Sequence, residues 1–421
     1  MNRTAVLSAV FALALAPLAA NAASLPARDD QKDWTILVFL NANNNLDSFA
    51  PLNMNQMEVA GSTDRVNVVV EVTREGADKT QRYLMQKDTD TSTVSSPVLE
   101  NMPKVDMGDI ASLKAFIQWG IQKYPAKHYM VDIWNHGSGW EKKSIEVARG
   151  VSYDDSTGNH ITTTQLGQCL RDIAASRGSK IDVISYDACL MQMAEVCAEV
   201  ADGASYQCAS EETIPGAGWP YDSWLTQVVA DPGADAPTVC KYLVNAYHDC
   251  YNGGAQGHMS GTLSMVDLSQ IGAVSAAADD FTHALLSDAS AMPKVLEAIR
   301  NTQSYAEPSH HDVQDFVDQA ITSVGSDAVK TAGAALKAAV QKAVLSSEFT
   351  GDSMGKSTGF AIWIPTYTSQ SLLTSYKDLA WAKGGKWTEF VTALTSNGSQ
   401  AHANREETRV KNFVQLDAAA R

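Results

Sequence analysis

The stretch Ser185-Tyr186-Asp187-Ala188-Cys189-Leu190 ends an apolar run and carries a thiol at its tip. A second apolar run, residues 129–134, ends in Asn135-His136-Gly137-Ser138-Gly139-Trp140 and carries an imidazole at its tip. The active residues of open α/β sheets lie at the carboxyl ends of strands. We therefore predict that two strands bring His136 and Cys189 to one edge of a sheet. A thiol next to an imidazole is the minimum apparatus for nucleophilic catalysis by cysteine.

The segments around these two runs alternate between strand and helix patterns. Apolar β-branched runs at 36–40 and 66–72 predict strands. A helical pattern that begins at an Asp109 N-cap and is closed by Pro125 leads directly into the run at 129–134. This β-α-β order favours a parallel sheet. Helical stretches dominate after the middle of the chain, and no repeat or linker interrupts it, so we predict one elaborated α/β domain over residues 23–395.

The two ends of the chain differ in composition from this domain. Residues 1–22 begin with one positive charge, continue with a short apolar stretch and end in Ala20-Asn21-Ala22, which is the pattern of a secretory signal peptide. The stretch is too short for a membrane span. Residues 396–421 read as a polar tail. We therefore expect a protein that is exported to the periplasm or secreted, without a membrane span.

The acidic composition limits the partners. The 48 acidic and 32 basic side chains give a formal net charge of −16. Nucleic acids and anionic membranes are therefore not expected as partners, because phosphate binding needs clustered cations. An acidic surface would instead attract basic peptides.

The cysteine count argues against a disulfide-built scaffold. Six cysteines are too few for such a scaffold in a chain of 421 residues. Cys169 and Cys197 fall on apolar helix faces, so we expect both in the core. Pairing among the remaining cysteines cannot be assigned from the sequence.

The placement of the thiol and the imidazole predicts their chemistry. A neighbouring imidazolium lowers the pKa of a thiol. The helical pattern that follows Cys189 predicts a strand-to-helix junction, where free N–H groups favour the thiolate. Gly137 leaves room for a substrate carbonyl, and the N–H groups of Gly137 and Cys189 could form an oxyanion hole. Most single cysteines at strand ends are structural, so the prediction depends on finding His136 and Cys189 together. Caspases have a similar spacing of about 50 residues between His and Cys.

These residues resemble the clostripain family of cysteine peptidases, within the caspase-like group. The most specific blocks are the His-Gly and Asp-Ala-Cys segments, residues 134–140 and 187–191. Further similar segments are residues 33–38, 44–46, 66–70, 212–216 and 359–365. Caspases proper carry a different Cys signature, so the resemblance does not extend to them.

The resemblance implies a fold and a set of roles. The fold would be a caspase-like three-layer α/β/α sandwich with a mostly parallel central sheet and a helical C-terminal elaboration. His136 would be the general base and acid, and Cys189 the nucleophile, of a dyad without an obligatory third member. The substrates would be peptides or proteins.

Relatives of this family generally cut after Arg or Lys, which implies an acid in the pocket for the P1 side chain. Asp187, two residues before the thiol, is the first candidate for that acid. Glu212 and Asp222 are weaker candidates. The alternative for Asp187 is a structural residue that hydrogen-bonds the turn after its strand. The loop Gly216-Ala217-Gly218 offers no acid of its own.

Self-cleavage and calcium dependence are two further properties that the resemblance suggests for this chain. Self-cleavage in the family follows a basic residue between the His and the Cys, and Arg149 and then Lys143 are the candidates; the alternative is that both are solvated loop charges. The acidic pair Asp154-Asp155 and the Asn43-Asn44-Asn45 turn could supply oxygen ligands to calcium, although no EF-hand spacing exists. We expect no other cofactor.

Two other classes of function stay open at this point. One is a catalytically inactive, caspase-like binding protein at the cell surface. The other is a metal-dependent hydrolase that uses His310 and His311, although no second ligand pair has suitable spacing and a solvated loop is the favoured interpretation of that segment.

Overall fold

The computed structural model describes residues 31–140, 150–288 and 290–396. In this part of the chain the strands are β1 (Lys32–Ala42), β2 (Val66–Arg74), β3 (Lys79–Leu84), β4 (Val98–Pro103), β5 (Ala126–Trp134), β6 (Val151–Asp154), β7 (Asn159–Ile161), β8 (Ile181–Asp187), β9 (Ala204–Ala209), β10 (Asn252–Gly254), β11 (Gly257–His258), β12 (Gly261–Asp267), β13 (His310–Asp312), β14 (Val344–Thr350) and β15 (Ala361–Trp363).

The helices of the same part are α1 (Ala50–Ala60), α2 (Ile110–Lys123), α3 (Thr163–Arg177), α4 (Ala194–Val200), α5 (Tyr221–Ala230), α6 (Ala236–Tyr251), α7 (Ile271–Leu286), α8 (Ala291–Asn301), α9 (Val313–Val324), α10 (Asp327–Ala343), α11 (Gln370–Tyr376) and α12 (Ala380–Gly384). Short 3-10 turns lie at Asp47–Phe49, Leu268–Gln270 and Asp352–Met354. A further helical stretch covers residues 387–396.

Nine of the described strands form one sheet in the order β14-β12-β9-β8-β5-β1-β2-β3-β4. The five central strands, from β9 to β2, pair in parallel. The two outer strands on each side pair antiparallel. The parallel centre agrees with the prediction from the β-α-β order, whereas the antiparallel margins were not anticipated.

The apolar run of β1 is continuous because both faces of the strand are covered. Leu37 and Phe39 belong to the core that includes residues of α2 and α3. Ile36 and Val38 point the other way, into the core that includes residues of α1, α5 and α6. Alternate side chains of a strand face opposite sides of the sheet, so one run supplies two cores. The result is the three-layer α/β/α arrangement that the sequence predicted.

Side-chain caps begin helices α2 and α3, and the first of these caps, Asp109, was predicted. The Asp109 carboxylate accepts a hydrogen bond from Ala111 N at the start of α2. Thr162 caps α3 and forms a capping box with Gln165. Both caps satisfy N–H groups that the first turn of a helix leaves free, and both helices lead into the parallel strands β5 and β8.

The C-terminal elaboration is helical, as predicted. Residues 273–356 contribute most of α7, together with α8, α9 and α10, and then return to the main sheet as the edge strand β14. Within the segment 359–365 that resembles the family, the short strand β15, Ala361–Trp363, pairs with β13 outside the main sheet.

All six cysteines lie in the described residues, and none forms a disulfide. Cys169 and Cys197 are buried in the apolar core, as expected. No helix of the described residues has the length and apolar character that crossing a membrane requires. The predicted signal peptide (residues 1–22) lies outside the described residues, and so does the predicted polar tail after residue 396.

Gly167 provides a test of the packing behind the site. A Cβ atom at this position of α3 would lie 2.4 Å from the carbonyl oxygen of Glu199 in α4. We expect Gly167→Ala to lower the free energy of unfolding by about 1–3 kcal/mol through overpacking, measured by urea denaturation. Gly272→Ala in α7, where a Cβ atom meets nothing within 4 Å, is the matched control and should be neutral or slightly stabilising. Equal stability of the two variants would contradict this packing.

Candidate active site

The pairing of β5 with β8 brings His136 and Cys189 to one edge of the sheet. Trp134 and Asp187 are register partners at the ends of these parallel strands. His136 and Cys189 each lie two residues beyond this pair, on strands that are about 4.8 Å apart. Both line one cavity of about 290 Å³, whose wall also includes Leu46 and much of the loop over residues 213–218.

Gly137 makes the close approach of the two loops possible. A Cβ atom at this position would lie 2.5 Å from the carbonyl oxygen of Cys189 and 3.1 Å from Cβ of Ala188. No side chain fits in that space without moving the backbone that carries the thiol. The sequence interpretation assigned the missing side chain to substrate access, and the structure adds this packing reason.

The backbone on both sides of the imidazole is held by hydrogen bonds. Ser152 N donates to His136 O at 3.2 Å, and Ser138 N donates to Gly150 O at 3.0 Å. Asn135 N donates to Asp187 O at 3.2 Å, which joins the His loop to the end of β8. The position of the His136 backbone is therefore fixed by two neighbouring segments.

Asn45 binds the His136 ring, a contact that the sequence did not reveal. Nε2 of His136 lies 2.6 Å from Oδ1 of Asn45. An amide oxygen only accepts, so this contact places the ring proton on Nε2 in the neutral imidazole and leaves Nδ1 as a proton acceptor. The signal that could have found Asn45 is its place just beyond β1, the strand next to β5.

Burial sets the protonation of the pair. It lowers the pKa of His136, and the charge of Asp155 opposes this effect. Burial also raises the pKa of the Cys189 thiol. A hydrogen bond from Ile214 N, which lies 3.4 Å from the sulfur, opposes this effect. A neutral thiol beside a neutral imidazole is therefore the resting state at neutral pH. Burial penalises both charges in this resting state, so the lowering of the thiol pKa by a neighbouring imidazolium stays a prediction.

The helix after the thiol begins later than predicted. The sequence pattern indicated a helix directly after Cys189, but α4 starts at Ala194. Leu190 adopts a left-handed φ of 64°, which interrupts the chain between strand and helix. Cys189 therefore lies in a loop before α4, and its sulfur accepts a hydrogen bond from Ile214 N, which is not in the first turn of that helix.

Of the three acid candidates, Asp187 is the one that lines the cavity. Its Oδ2 accepts a hydrogen bond from Trp219 N at 3.0 Å and lies 3.2 Å from the hydroxyl oxygen of Tyr221. Burial, together with the charge of Asp132, raises the pKa of Asp187 well above its usual range. Both the binding and the structural interpretation of this residue fit its position.

Glu212 and Asp222 are not among the described residues that line the cavity. The Glu212 carboxylate accepts hydrogen bonds from Thr213 N at 2.6 Å and Ala306 N at 3.0 Å. Asp222 lies in the first turn of α5 and accepts from Ser223 N. Glu212 therefore supports the loop next to the cavity, and its role in substrate binding stays a prediction.

Side chains considered as calcium ligands form hydrogen bonds with one another and with a lysine. Asp154 accepts hydrogen bonds from Asn43 Nδ2 and from the backbone of Met107 and Ser156. Lys104 Nζ donates to Asn43 Oδ1 at 3.0 Å. Calcium dependence stays a prediction.

His310 and His311 are buried in β13 rather than exposed in a solvated loop. The solvated-loop interpretation is therefore wrong, because β13 pairs with β15 inside the core. Burial lowers the pKa of His311 to about 4. In the described residues, no group of three or more His, Cys, Asp or Glu side chains is arranged to hold a metal ion.

The self-cleavage candidates Arg149 and Lys143 lie outside the described residues. The next residue after Arg149, Gly150, is described and is hydrogen-bonded to Ser138 next to the His loop.

Comparison with known proteins decides the family. The model of the clostripain family matches residues 38–394, most of the chain. The chain belongs to the clostripain family. It is also 30% identical over 141 residues to clostripain of Hathewaya histolytica, which is 31% of this chain and 26% of that protein. The chain thus aligns with about a quarter of the curated relative. The resemblance found in the sequence to this family of cysteine peptidases is confirmed.

Solved structures share the fold. A secreted C11 cysteine protease from Bacteroides thetaiotaomicron, in complex with an irreversible peptide inhibitor, superposes with a TM-score of 0.66 at 21% identity, covering 85% of this chain and 99% of that one. An inactive zymogen C11 protease from Parabacteroides distasonis gives 0.64 at 19% identity with the same coverage. The predicted caspase-like α/β/α fold class of this clostripain-family chain is confirmed.

The neutral resting pair in this clostripain-family site predicts a particular pH dependence of thiol alkylation. Because burial raises the pKa of Cys189, the thiolate fraction should increase with pH, and the rate of iodoacetamide labelling should rise into the alkaline range. Mass spectrometry of the Cys189 peptide as a function of pH measures this rate. A rate that is already at its plateau at about pH 5 would instead indicate a preformed thiolate–imidazolium pair.

Proposed function

We propose that this chain is an exported cysteine endopeptidase in which Cys189 attacks a peptide carbonyl and His136 transfers protons. The observation that carries the proposal is the register pair Trp134–Asp187. It brings a thiol and an imidazole to one cavity at the strand ends of a clostripain-family fold.

The neutral resting pair defines the first chemical step. His136 takes the proton of the Cys189 thiol as sulfur attacks the carbonyl carbon, and the imidazolium then gives this proton to the leaving amine. The remaining thioester is hydrolysed by water that His136 deprotonates. The acid product leaves, and the proton returns to the thiol.

The negative charge that develops on the carbonyl oxygen needs donors. The N–H groups of Gly137 and Cys189 are our candidates, because the two backbones approach each other closely at the cavity. Donors of this kind are fixed in advance and stabilise the oxyanion without reorganisation.

Asn45 is a positioning residue in this mechanism. Its hydrogen bond fixes the ring of His136 and leaves Nδ1 free to accept the thiol proton. It also helps to stabilise the imidazolium, because the Nε2 proton keeps its acceptor after proton transfer.

Asp187 is the acid that we propose binds a basic P1 side chain. Its carboxyl group lies in the cavity wall next to the nucleophile. No Lys or Arg side chain of the described residues forms an ion pair with it. An Arg or Lys side chain from the substrate would supply the missing positive charge.

Export and self-processing complete the proposal. The first 22 residues have the pattern of a signal peptide, and the Bacteroides thetaiotaomicron neighbour is described as secreted. Arg149 and then Lys143 are the proposed cleavage points, and the Parabacteroides distasonis neighbour is described as a zymogen.

The proposal predicts cleavage of peptides after Arg or Lys. Fluorogenic peptides that differ only in P1 should be cut when P1 is Arg or Lys and left intact when it is Ala. Cys189→Ala and His136→Ala should each lower kcat/KM by at least about 10²-fold, because nucleophile and base are lost. Intact mass before and after incubation detects cleavage near residue 149.

The other outcomes correspond to the other functional classes. Activity that a chelator removes and iodoacetamide leaves unchanged supports a metal-dependent hydrolase. Absence of both cleavage and thiol labelling supports a binding protein.

The Asn45 contact predicts a change in kcat and in the pH profile. Asn45→Ala should lower kcat by about 10-fold, a part of what a positioned general base contributes. Asn45→Asp keeps the acceptor and adds a negative charge, which favours the imidazolium and should move the acid limb of the profile to higher pH. Asn101→Ala, an exposed asparagine that accepts from Gln81, is the matched control. Profiles of the Asn45 variants identical to that of Asn101→Ala would exclude the positioning role.

A further inference from the structure

A tyrosine hydroxyl joins two buried carboxyl groups behind the cavity wall. Oη of Tyr221 lies 2.6 Å from Oδ2 of Asp132 and 3.2 Å from Oδ2 of Asp187. Asp132 and Tyr221 are fully buried, and Asp187 is 4% exposed. We call the two aspartates, together with the tyrosine hydroxyl that joins them, the bridged acid pair.

The number of protons in the bridged acid pair decides its charge. A phenol has one proton, so Tyr221 donates to one carboxylate at a time. If both aspartates were ionised, the carboxylate that does not receive the phenol proton would face the phenol oxygen without a proton between the two oxygens. Two hydrogen bonds at one hydroxyl need a second proton, which one of the carboxyl groups supplies. The geometry therefore favours one proton shared by Asp132 and Asp187 in addition to that of Tyr221.

Burial and the lack of a cation among the described neighbours favour the extra proton. Two donors act against it: Trp219 N donates to Oδ2 of Asp187, and Ser185 Oγ donates to Oδ1 of Asp132 at 3.1 Å. The titratable groups that interact with Asp187 from its own loop, from β5 and from helices α5 and α6 are Cys189, Asp132, Tyr221, Tyr247 and Tyr251. His136 lines the same cavity. None of these groups carries a positive charge at neutral pH, since burial lowers the pKa of His136.

Asp187 still has one oxygen for a ligand. Both hydrogen-bonding contacts of its carboxyl group with the described residues are made by Oδ2. The side of the carboxyl group that bears Oδ1 accepts no hydrogen bond from them. Gly218, which has a left-handed φ of 68°, also lines the cavity, and a Cβ atom there would lie only 2.6 Å from Oδ2, so the carboxyl group keeps its position only beside a glycine.

We propose that the bridged acid pair holds one shared proton in the free enzyme and releases it to solvent when a cationic P1 side chain binds Asp187. Asp132 and Tyr221 are then positioning residues that set the pH range in which such substrates are recognised. The inference rests on the proposed function, because it needs Asp187 to bind P1. Burial raises the pKa of both carboxyl groups, that of Asp132 to about 6, which agrees with a shared proton near neutral pH.

The test compares the pH dependence of KM for two peptides that differ only in P1, arginine and its uncharged isostere citrulline. For the arginine peptide, KM should fall as pH rises, since loss of the shared proton creates the negative charge that binds the cation. For citrulline, KM should not follow this transition. The difference between the two peptides removes the titration of His136 and Cys189, which acts on both.

Substitutions in the bridged acid pair should move this transition in opposite directions. Asp132→Asn removes one negative charge, so Asp187 ionises more easily and the midpoint should move down by about one pH unit. Tyr221→Phe removes a donor to the carboxylate, and the midpoint should move up by about one unit. Glu195→Gln is the matched control: Glu195 is also a buried acid bonded to a tyrosine hydroxyl, Tyr376 at 2.9 Å, and it does not line the cavity.

The outcomes separate this inference from the proposed function. Unchanged midpoints in both variants, or the same shift in Glu195→Gln, would overturn the inference even if arginine peptides are cleaved. Absence of cleavage together with absence of Cys189 labelling would instead refute the peptidase. Iodoacetamide labelling and thermal unfolding of each variant show whether it has folded, and a folded Tyr221→Phe still tests the inference if Asp132→Asn does not fold.

Discussion

The parallel pairing of β5 with β8 is the constraint on which the site depends. The register ends at Trp134 and Asp187, and the hydrogen bond from Asn135 N to Asp187 O extends it by one step into the loops. A slip of one residue would turn every side chain of β8 to the opposite face. Because both faces of the sheet are covered by packed cores, such a slip would exchange the side chains of β8 between the two cores and spoil the packing of both. The stability of the core therefore also fixes where the thiol and the imidazole lie.

The sequence predicts the elements whose signals are local. The apolar runs of the central strands and the Asp109 cap appear in the structure where the pattern puts them. The predicted start of α4 was wrong because the contact that delays this helix comes from a distant part of the chain. Met193 forms an isolated bridge with Ala361, and Ala361 N donates to Gln192 O. A residue 168 positions beyond Met193 therefore holds this segment out of the helix. A helical pattern of apolar residues cannot report such a contact.

The same limit applies to the site. His136 and Cys189 could be found because each directly follows a strand-like run. Asn45 also follows a strand-like run, but its contact with His136 can be inferred only once β1 is known to lie next to β5, where Leu40 pairs with Trp134. Asp132 and Tyr221 also gave no signal, because a single acid within an apolar strand and a tyrosine at a helix start have many structural uses.

Two buried acids in this fold differ in how their charge is compensated. Glu71 lies 2.6 Å from Nε of Arg82, so the chain itself supplies the cation. Within the described part of the chain no basic residue acts in the same way on Asp187, which interacts instead with another aspartate and a tyrosine. A buried carboxylate without a cation is costly, and a shared proton lowers that cost until a ligand supplies the charge. A site completed in this way discriminates against a neutral side chain, which leaves the acid either uncharged or unpaired. In the proposed function, selectivity for a basic residue then follows because the fold supplies a cation to Glu71, whereas the substrate would supply one to Asp187.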